Sequence, residues 1–264
     1  MEITLAIMGW NFLALLVMMF IGWLISLAFN NVTAVDTLWG LGFVVVAWIT
    51  FFLADGYPAR KYLISILVTL WGLRLAGHLS WRNWGSGEDP RYGSWRRAAG
   101  SRFWLVSLFK VFLLQAVFLW VISLALQVGQ LAPLPEHLTG FDYLGLAVWL
   151  LGFLFESVSD YQLARFKAVA SNKGRVMRQG LWAYSRHPNY FGESLVWWGI
   201  FLIAFSTPNS WWTVVSPIVI TVVLLKMTGI PLMEKSIADK RPAYADYIKN
   251  TNAFVPWFPR KEIS

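Results

Sequence analysis

Residues 180–194 read "GLWAYSRHPNYFGES", and the chain then turns apolar in "LVWWGIFLIAF". Arg186, His187, Asn189 and Glu193 stand together at the mouth of an apolar segment, where polar groups are costly. Asn189 and Glu193 are spaced by four, as are Glu156 and Asp160 in "LFESVSDYQLARFK", and Arg74 and His78; in helices each pair shares a face. Lys167 follows Asp160 by nearly two turns, and Asp36 lies in "NNVTAVDTLWG". Each unpaired charge at membrane depth costs about 2.5–3.5 kcal/mol on insertion scales, so such groups mark cavities and sites. Guanidinium forks and the free N–H groups of a helix start favour phosphate. Carboxylates accept from hydroxyl and carboxamide groups. The pattern therefore points to a phosphate-bearing organic cofactor at a cytoplasmic mouth, its reactive end reaching into the bilayer. Milder readings stand beside this one. His78 serves equally as a satisfied interior residue. Arg82, Arg165 and Lys167 can snorkel to headgroups, and Lys110 reads as a packing or lipid-facing position.

The elements that must position these groups are membrane helices. The chain has 264 residues, 57% hydrophobic, with 17 Trp, and a mean hydropathy of +0.53, a balance that soluble domains rarely reach. Windows of about 18 apolar residues, enough to cross a roughly 30 Å hydrocarbon core, recur along it. Seven spans are predicted: Leu5–Phe29, Thr37–Ala54, Tyr62–Leu79, Phe103–Gln127, Leu144–Phe166, Tyr190–Phe205 and Trp211–Ile230. They make an all-α integral membrane bundle in one domain, 1–264, with a cofactor-binding half at about 144–264. The N-terminus lacks a basic n-region and cleavage site and reads as a retained first span.

Arg82, Arg91, Arg96, Arg97 and Arg102 lie between spans three and four, and Lys167, Lys173, Arg175, Arg178 and Arg186 between spans five and six. The tail is also basic. The positive-inside rule makes that side cytoplasmic, leaving the N-terminus outside and "DGYPARK" as the one exception. The net charge of +8 is thus loop charge and not a nucleic-acid footprint. With no cysteine, thiolate chemistry and disulfides are excluded. No G-x-G-x-x-G, P-loop or H-E-x-x-H is present, so a nucleotide must be bound by the helices themselves.

"GLWAYSRHPNYFGE" resembles the C-terminal signature of the steroid 5-alpha-reductase and sterol-reductase superfamily of membrane NADPH-dependent enzymes. The likeness runs through "VDTLWGLGF", "RNWGSGEDPRYGSWR", "SDYQLARFK" and "AYADYIKNTNAFVPWFP" and is nearest to a bacterial branch with a steroid-5-alpha-reductase-like C-terminal domain. The resemblance implies that Asn189, Glu193 and Asp160 contact NADPH and that Gly192 permits close approach. Glu156 stands where the family uses Asn. Lys167 and Arg82 fall near family arginines that meet the phosphates. Arg91, Tyr161, Arg178, Tyr184, Arg186, His187 and Tyr247 complete the expected cofactor contacts. Asp36 aligns with a carboxylate that helps polarise the substrate carbonyl. The family Tyr opposite it falls at Leu79, which leaves that electrophilic pair incomplete.

The expected reaction is hydride transfer from NADPH to the conjugated double bond of a lipophilic, steroid-like substrate entering from the bilayer, in a bacterial inner membrane. Asp36 and His78 are the candidate catalytic residues at the carbonyl oxygen, with Tyr161 and Tyr190 more distant. Membrane lipids are expected partners and nucleic acid is not; no metal is implied. The alternative is an S-adenosylmethionine-dependent methyltransferase of the isoprenylcysteine or phospholipid type. Those enzymes share "R-H-P-x-Y-x-G" and a tail matched by Glu234, Tyr244, Tyr247 and Pro256. A transporter or lipid-binding scaffold would account for the charges but not for the 180–193 spacing.

Overall fold

The computed structural model describes residues 2–227, 230, 234 and 243–260, and every regular element among them is helical. The helices are α1 (Glu2–Ala28), α2 (Ala34–Leu53), α3 (Pro58–Asn83), α4 (Pro90–Ala99), α5 (Phe103–Ser107), α6 (Leu114–Ile122), α7 (Leu124–Leu131), α8 (Gly140–Ala168), α9 (Pro188–Phe205), α10 (Val215–Val222) and α11 (Ala243–Asn250). A π-helical stretch, Leu108–Leu113, joins α5 to α6. Among the described residues, five helical runs are long and apolar enough to cross a membrane: α1, α2, α3, Pro90–Ile122 and α8. Trp211–Met227 is a shorter apolar helix, and α9 opens on the polar "PNYFGES". The end of the predicted last span, at 228 and 229, lies outside the described residues.

Two boundaries differ from the sequence-based expectation for a local reason. Residues 90–99 were expected in a loop and are helical. Asp89 caps α4 by accepting from Arg91 N at 2.8 Å, with Pro90 in the first turn, where its missing N–H and fixed φ suit a helix start. Pro58 likewise stands in the first turn of α3, there without a side-chain cap.

The chain divides into two compact units, Met1–Asp142 with Ile203–Ser216, and Tyr143–Leu202 with Pro217–Ser264. In the first, α2 and α3 approach through glycine: a Cβ on Gly40 would meet Gly72 O at 2.5 Å. That contact lies one turn along α2 from Asp36. Buried amides tie other helices together, with Asn11 donating to Thr50 Oγ1 (2.8 Å) and Gln127 Oε1 (2.9 Å).

The basic exception in "DGYPARK" is an internal ion pair. Arg60 Nε donates to Asp142 Oδ1 at 2.8 Å, both side chains fully buried, and Nη2 to His137 O at 3.0 Å. Thr139 N, Thr139 Oγ1 and Ser206 Oγ donate to the same carboxylate. In the second unit α8 and α9 touch along their backbones. A Cβ on Gly152 would meet Gly192 O at 2.6 Å, and one on Gly199 would meet Gly145 O at 2.7 Å.

Breaking a buried ion pair strands the surviving charge, at a cost of about 3–5 kcal/mol. Arg60→Ala is therefore expected to lower the thermal unfolding midpoint in detergent markedly. Arg60→Met with Asp142→Leu should recover a large part of the loss.

Candidate functional site

Candidate residues gather in each unit, and each group is built by local chemistry. In the first unit Asp36 sits in the opening turn of α2. Tyr92 Oη donates to Asp36 Oδ1 at 2.8 Å. Arg91 Nη2 lies 3.5 Å and Arg82 Nη2 3.9 Å from Oδ2. Arg91 is mainly occupied by Asp89, through Nε–Oδ1 at 2.9 Å and Nη2–Oδ2 at 3.0 Å, whereas the Arg82 side chain is 45% exposed.

The loop that delivers Tyr92 is stapled to the α1–α2 turn. Glu88 accepts from Val32 N (3.1 Å) and from Arg96 Nη2 (2.7 Å), and Asp89 N donates to Thr33 Oγ1 at 2.8 Å. The hydrogen bond from Arg96 holds the Glu88 carboxyl below its ordinary value. Burial pushes the Asp89 carboxyl up, but the hydrogen bonds from Arg91 outweigh it and leave Asp89 low as well. Gly85 and Gly87, both at positive φ, shape the turn.

Tyr92 is the residue missed from sequence. The pair that the sequence left incomplete at Leu79 has a phenol against Asp36 after all, that of Tyr92 in the first turn of α4. The signal for it was the Asp89–Pro90 helix start, which places Arg91 and Tyr92 side by side behind the cap. His78, on α3, packs near Trp81 with ring centroids 6.2 Å apart.

In the second unit Glu156, Asp160 and Glu193 are buried, three carboxylates on the two helices that touch through glycine. Asn189 Nδ2 donates to Asp160 Oδ1 at 3.1 Å. The buried Oδ1 of Asn189 has no hydrogen-bond partner among the described residues, and such an orphan acceptor calls for a donor. The close approach at Gly192 is that of α8: a Cβ there would meet Glu156 N at 2.5 Å. Tyr161, Lys167, Arg178 and Tyr184 are exposed.

Arg186 and His187 form a clasp on the tail. Arg186 Nε donates to Glu234 Oε1 at 2.7 Å, and His187 Nε2 lies 3.1 Å from the same oxygen. Arg186 Nη1 donates to Ile248 O and Thr251 O. Tyr247 Oη donates to Trp182 O and Ser185 O, and the Arg178 guanidinium lies over the Tyr247 ring at 5.5 Å. Burial pushes the Glu234 carboxyl up, but hydrogen bonds from His187 and Arg186 prevail and hold it down at about 2. Burial raises the Tyr244 and Tyr247 phenols, so both stay neutral. The polar half of the motif is thus divided, Arg186 and His187 serving the tail and Asn189 facing Asp160.

A depressed carboxylate stabilises the fold above its unfolded value and loses that contribution as pH falls through the folded one. With an ordinary value of 4.5 and a folded value of about 2, resistance of the tail to limited proteolysis should be flat above pH 5. It should decline progressively between about pH 4.5 and pH 2, and Glu234→Gln should remove that part of the pH dependence.

A family profile described as "Protein of unknown function (DUF1295)" matches residues 22–251. An uncharacterised protein of Schizosaccharomyces pombe is 26% identical over 263 residues, covering 89% of this chain and 75% of its own. The 3-oxo-5-alpha-steroid 4-dehydrogenase 1 of Mus musculus is 35% identical over 72 residues, 27% of this chain and 26% of that enzyme. The very-long-chain enoyl-CoA reductase of Dictyostelium discoideum is 35% identical over 69 residues, 26% of this chain and 23% of that enzyme. The chain thus spans about a quarter of each of these two enzymes. No solved structure matches.

Proposed function

The chain belongs to the DUF1295 family, and on that premise we propose that it is a membrane-embedded NADPH-dependent reductase acting on a conjugated C=C of a lipophilic substrate. The observation that carries the reading is the Asn189–Asp160 pair, with its orphan Asn189 Oδ1 on a helix that also bears Glu193. A buried face rich in acceptors fits the donors of a dinucleotide, its carboxamide N–H and ribose hydroxyls. Asp160, Asn189, Glu193 and Glu156 would hold that part of the cofactor. The exposed Lys167 and Arg178 would meet its phosphates, and Arg186 is reserved for Glu234. When bound, NADPH supplies the hydride, and the protein contributes binding, orientation and electrostatics.

Asp36 and Tyr92 supply the acid. Reduction of an enone develops negative charge on the carbonyl oxygen, and a preorganised donor there lowers the barrier. Asp36 orients the Tyr92 phenol, Arg91 and Arg82 balance the carboxylate, and the Tyr92 O–H turns from Asp36 Oδ1 to the carbonyl oxygen. His78 remains the second candidate donor. The two matched enzymes, a 3-oxo-5-alpha-steroid 4-dehydrogenase and a very-long-chain enoyl-CoA reductase, support a conjugated carbonyl compound as substrate. The topology proposed with this reading has seven spans, α9 and Trp211–Met227 included. Its N-terminus lies outside and its C-terminus is cytoplasmic, in a bacterial inner membrane, with substrate entering from the lipid. Methyl transfer from S-adenosylmethionine is the second reading, favoured by the Arg186–His187 clasp and its tail. It has no use for a phenol held on a carboxylate.

Saturating NADPH at about 100 times its Kd should stabilise the protein by about 2.7 kcal/mol. That stabilisation should vanish in Asn189→Ala and Asp160→Ala, and its survival in both would remove the proposed site. Tyr92→Phe should lower turnover of a lipophilic enone by about 10²–10³, the range for losing one such donor, while leaving NADPH stabilisation intact. Equal loss of both would make Tyr92 structural.

A further inference from the structure

The C-terminal stretch "FVPWFP" lies outside the five long apolar helices, yet it displays large apolar side chains. Val255 is 56%, Trp257 66% and Phe258 74% exposed. This exposure belongs to a firmly held backbone. Phe254 turns inward against Phe191, with ring centroids 5.7 Å apart. Trp257 N donates to Tyr184 O and Arg260 N to Asn250 O, each at 2.9 Å. Pro256 and Pro259 carry no N–H. Backbone donors along 256–260 are therefore largely removed or satisfied, which lowers the cost of bringing the segment to the interface, where its carbonyls still meet water and headgroups.

The surroundings are basic. Arg260 and Arg178 are exposed, and Lys249, 76% exposed, lies 3.9 Å from the exposed Asp246 carboxylate, which leaves the two arginines as the excess positive charge. We propose that Val255, Trp257 and Phe258 form an interfacial anchor that seats in the headgroup–acyl boundary of an anionic bilayer. Trp favours that depth because its ring is apolar and its N–H polar. Apolar insertion and attraction of basic side chains to acidic headgroups reinforce one another. Through Tyr184 and Asn250 the anchor ties the Arg186–His187 clasp to the membrane surface.

The absence of native cysteine makes the test direct. Full-length Val255→Cys, carrying an environment-sensitive NBD label, is reconstituted in vesicles with and without phosphatidylserine. The expected result is blue-shifted emission, quenching by a phospholipid spin-labelled near the headgroup and loss of iodide quenching, all stronger with phosphatidylserine. Adding Trp257→Ser and Phe258→Ser should restore iodide quenching, and a label at Lys249→Cys should remain accessible throughout. Water-like emission with full iodide quenching in both vesicle types would overturn the proposal. So would protection that disappears on diluting the protein into more lipid, since that would mark a second copy of the chain as the occupant. Equal protection in neutral vesicles would overturn the anionic requirement.

Discussion

Two helix backbones in contact leave no room for a side chain between them, and the second unit depends on that exclusion. Gly152 on α8 and Gly192 and Gly199 on α9 each meet a backbone atom of the facing helix first, Gly199 that of Gly145. Small residues at such crossings let membrane helices pack closely without a hydrophobic driving force between them. The approach also brings polar groups from both helices within reach, so that Asn189 bonds Asp160. A larger residue at Gly192 would push α9 from α8 and separate the pair. The glycine in "NYFGE" therefore shapes the candidate site through packing.

Much of this could be read from the residues. Helix length and apolarity gave α1, α2, α3 and α8 to within a few residues, because a span is specified by a local property. The spacing of 156 with 160 and of 189 with 193 put polar groups on common helix faces. Long-range pairing was out of reach. Nothing near Arg186 announces Glu234, 48 positions away. The exception at Arg60 is explained only by Asp142, 82 positions on. Tyr92 follows an Asp–Pro cap that marks a helix start, but the dense arginines of 91–102 are equally the composition of a loop.

The same types of residue serve two ends. Arg60 with Asp142 and Arg186 with Glu234 are structural pairs in which every charge has a partner. The Asp36 cluster differs: the Arg82 contact is long and half open to solvent, and the phenol is held by one hydrogen bond. Arg91 is committed to its own cap. Such a carboxylate is oriented yet incompletely enclosed, which suits a group that must meet a substrate. The orphan acceptor of Asn189 has the same character in the second unit.

The central claim, that the acceptor-rich face of α8 and α9 holds a reduced nicotinamide dinucleotide, is tested most directly by energy transfer from the 17 tryptophans to bound NADPH. Titration of the purified protein should quench tryptophan emission and raise nicotinamide emission in a saturable, one-to-one manner. Asn189→Ala should abolish the signal, and S-adenosylmethionine should not displace it. Absence of transfer at any NADPH concentration, together with saturable binding of S-adenosylmethionine, would contradict the account.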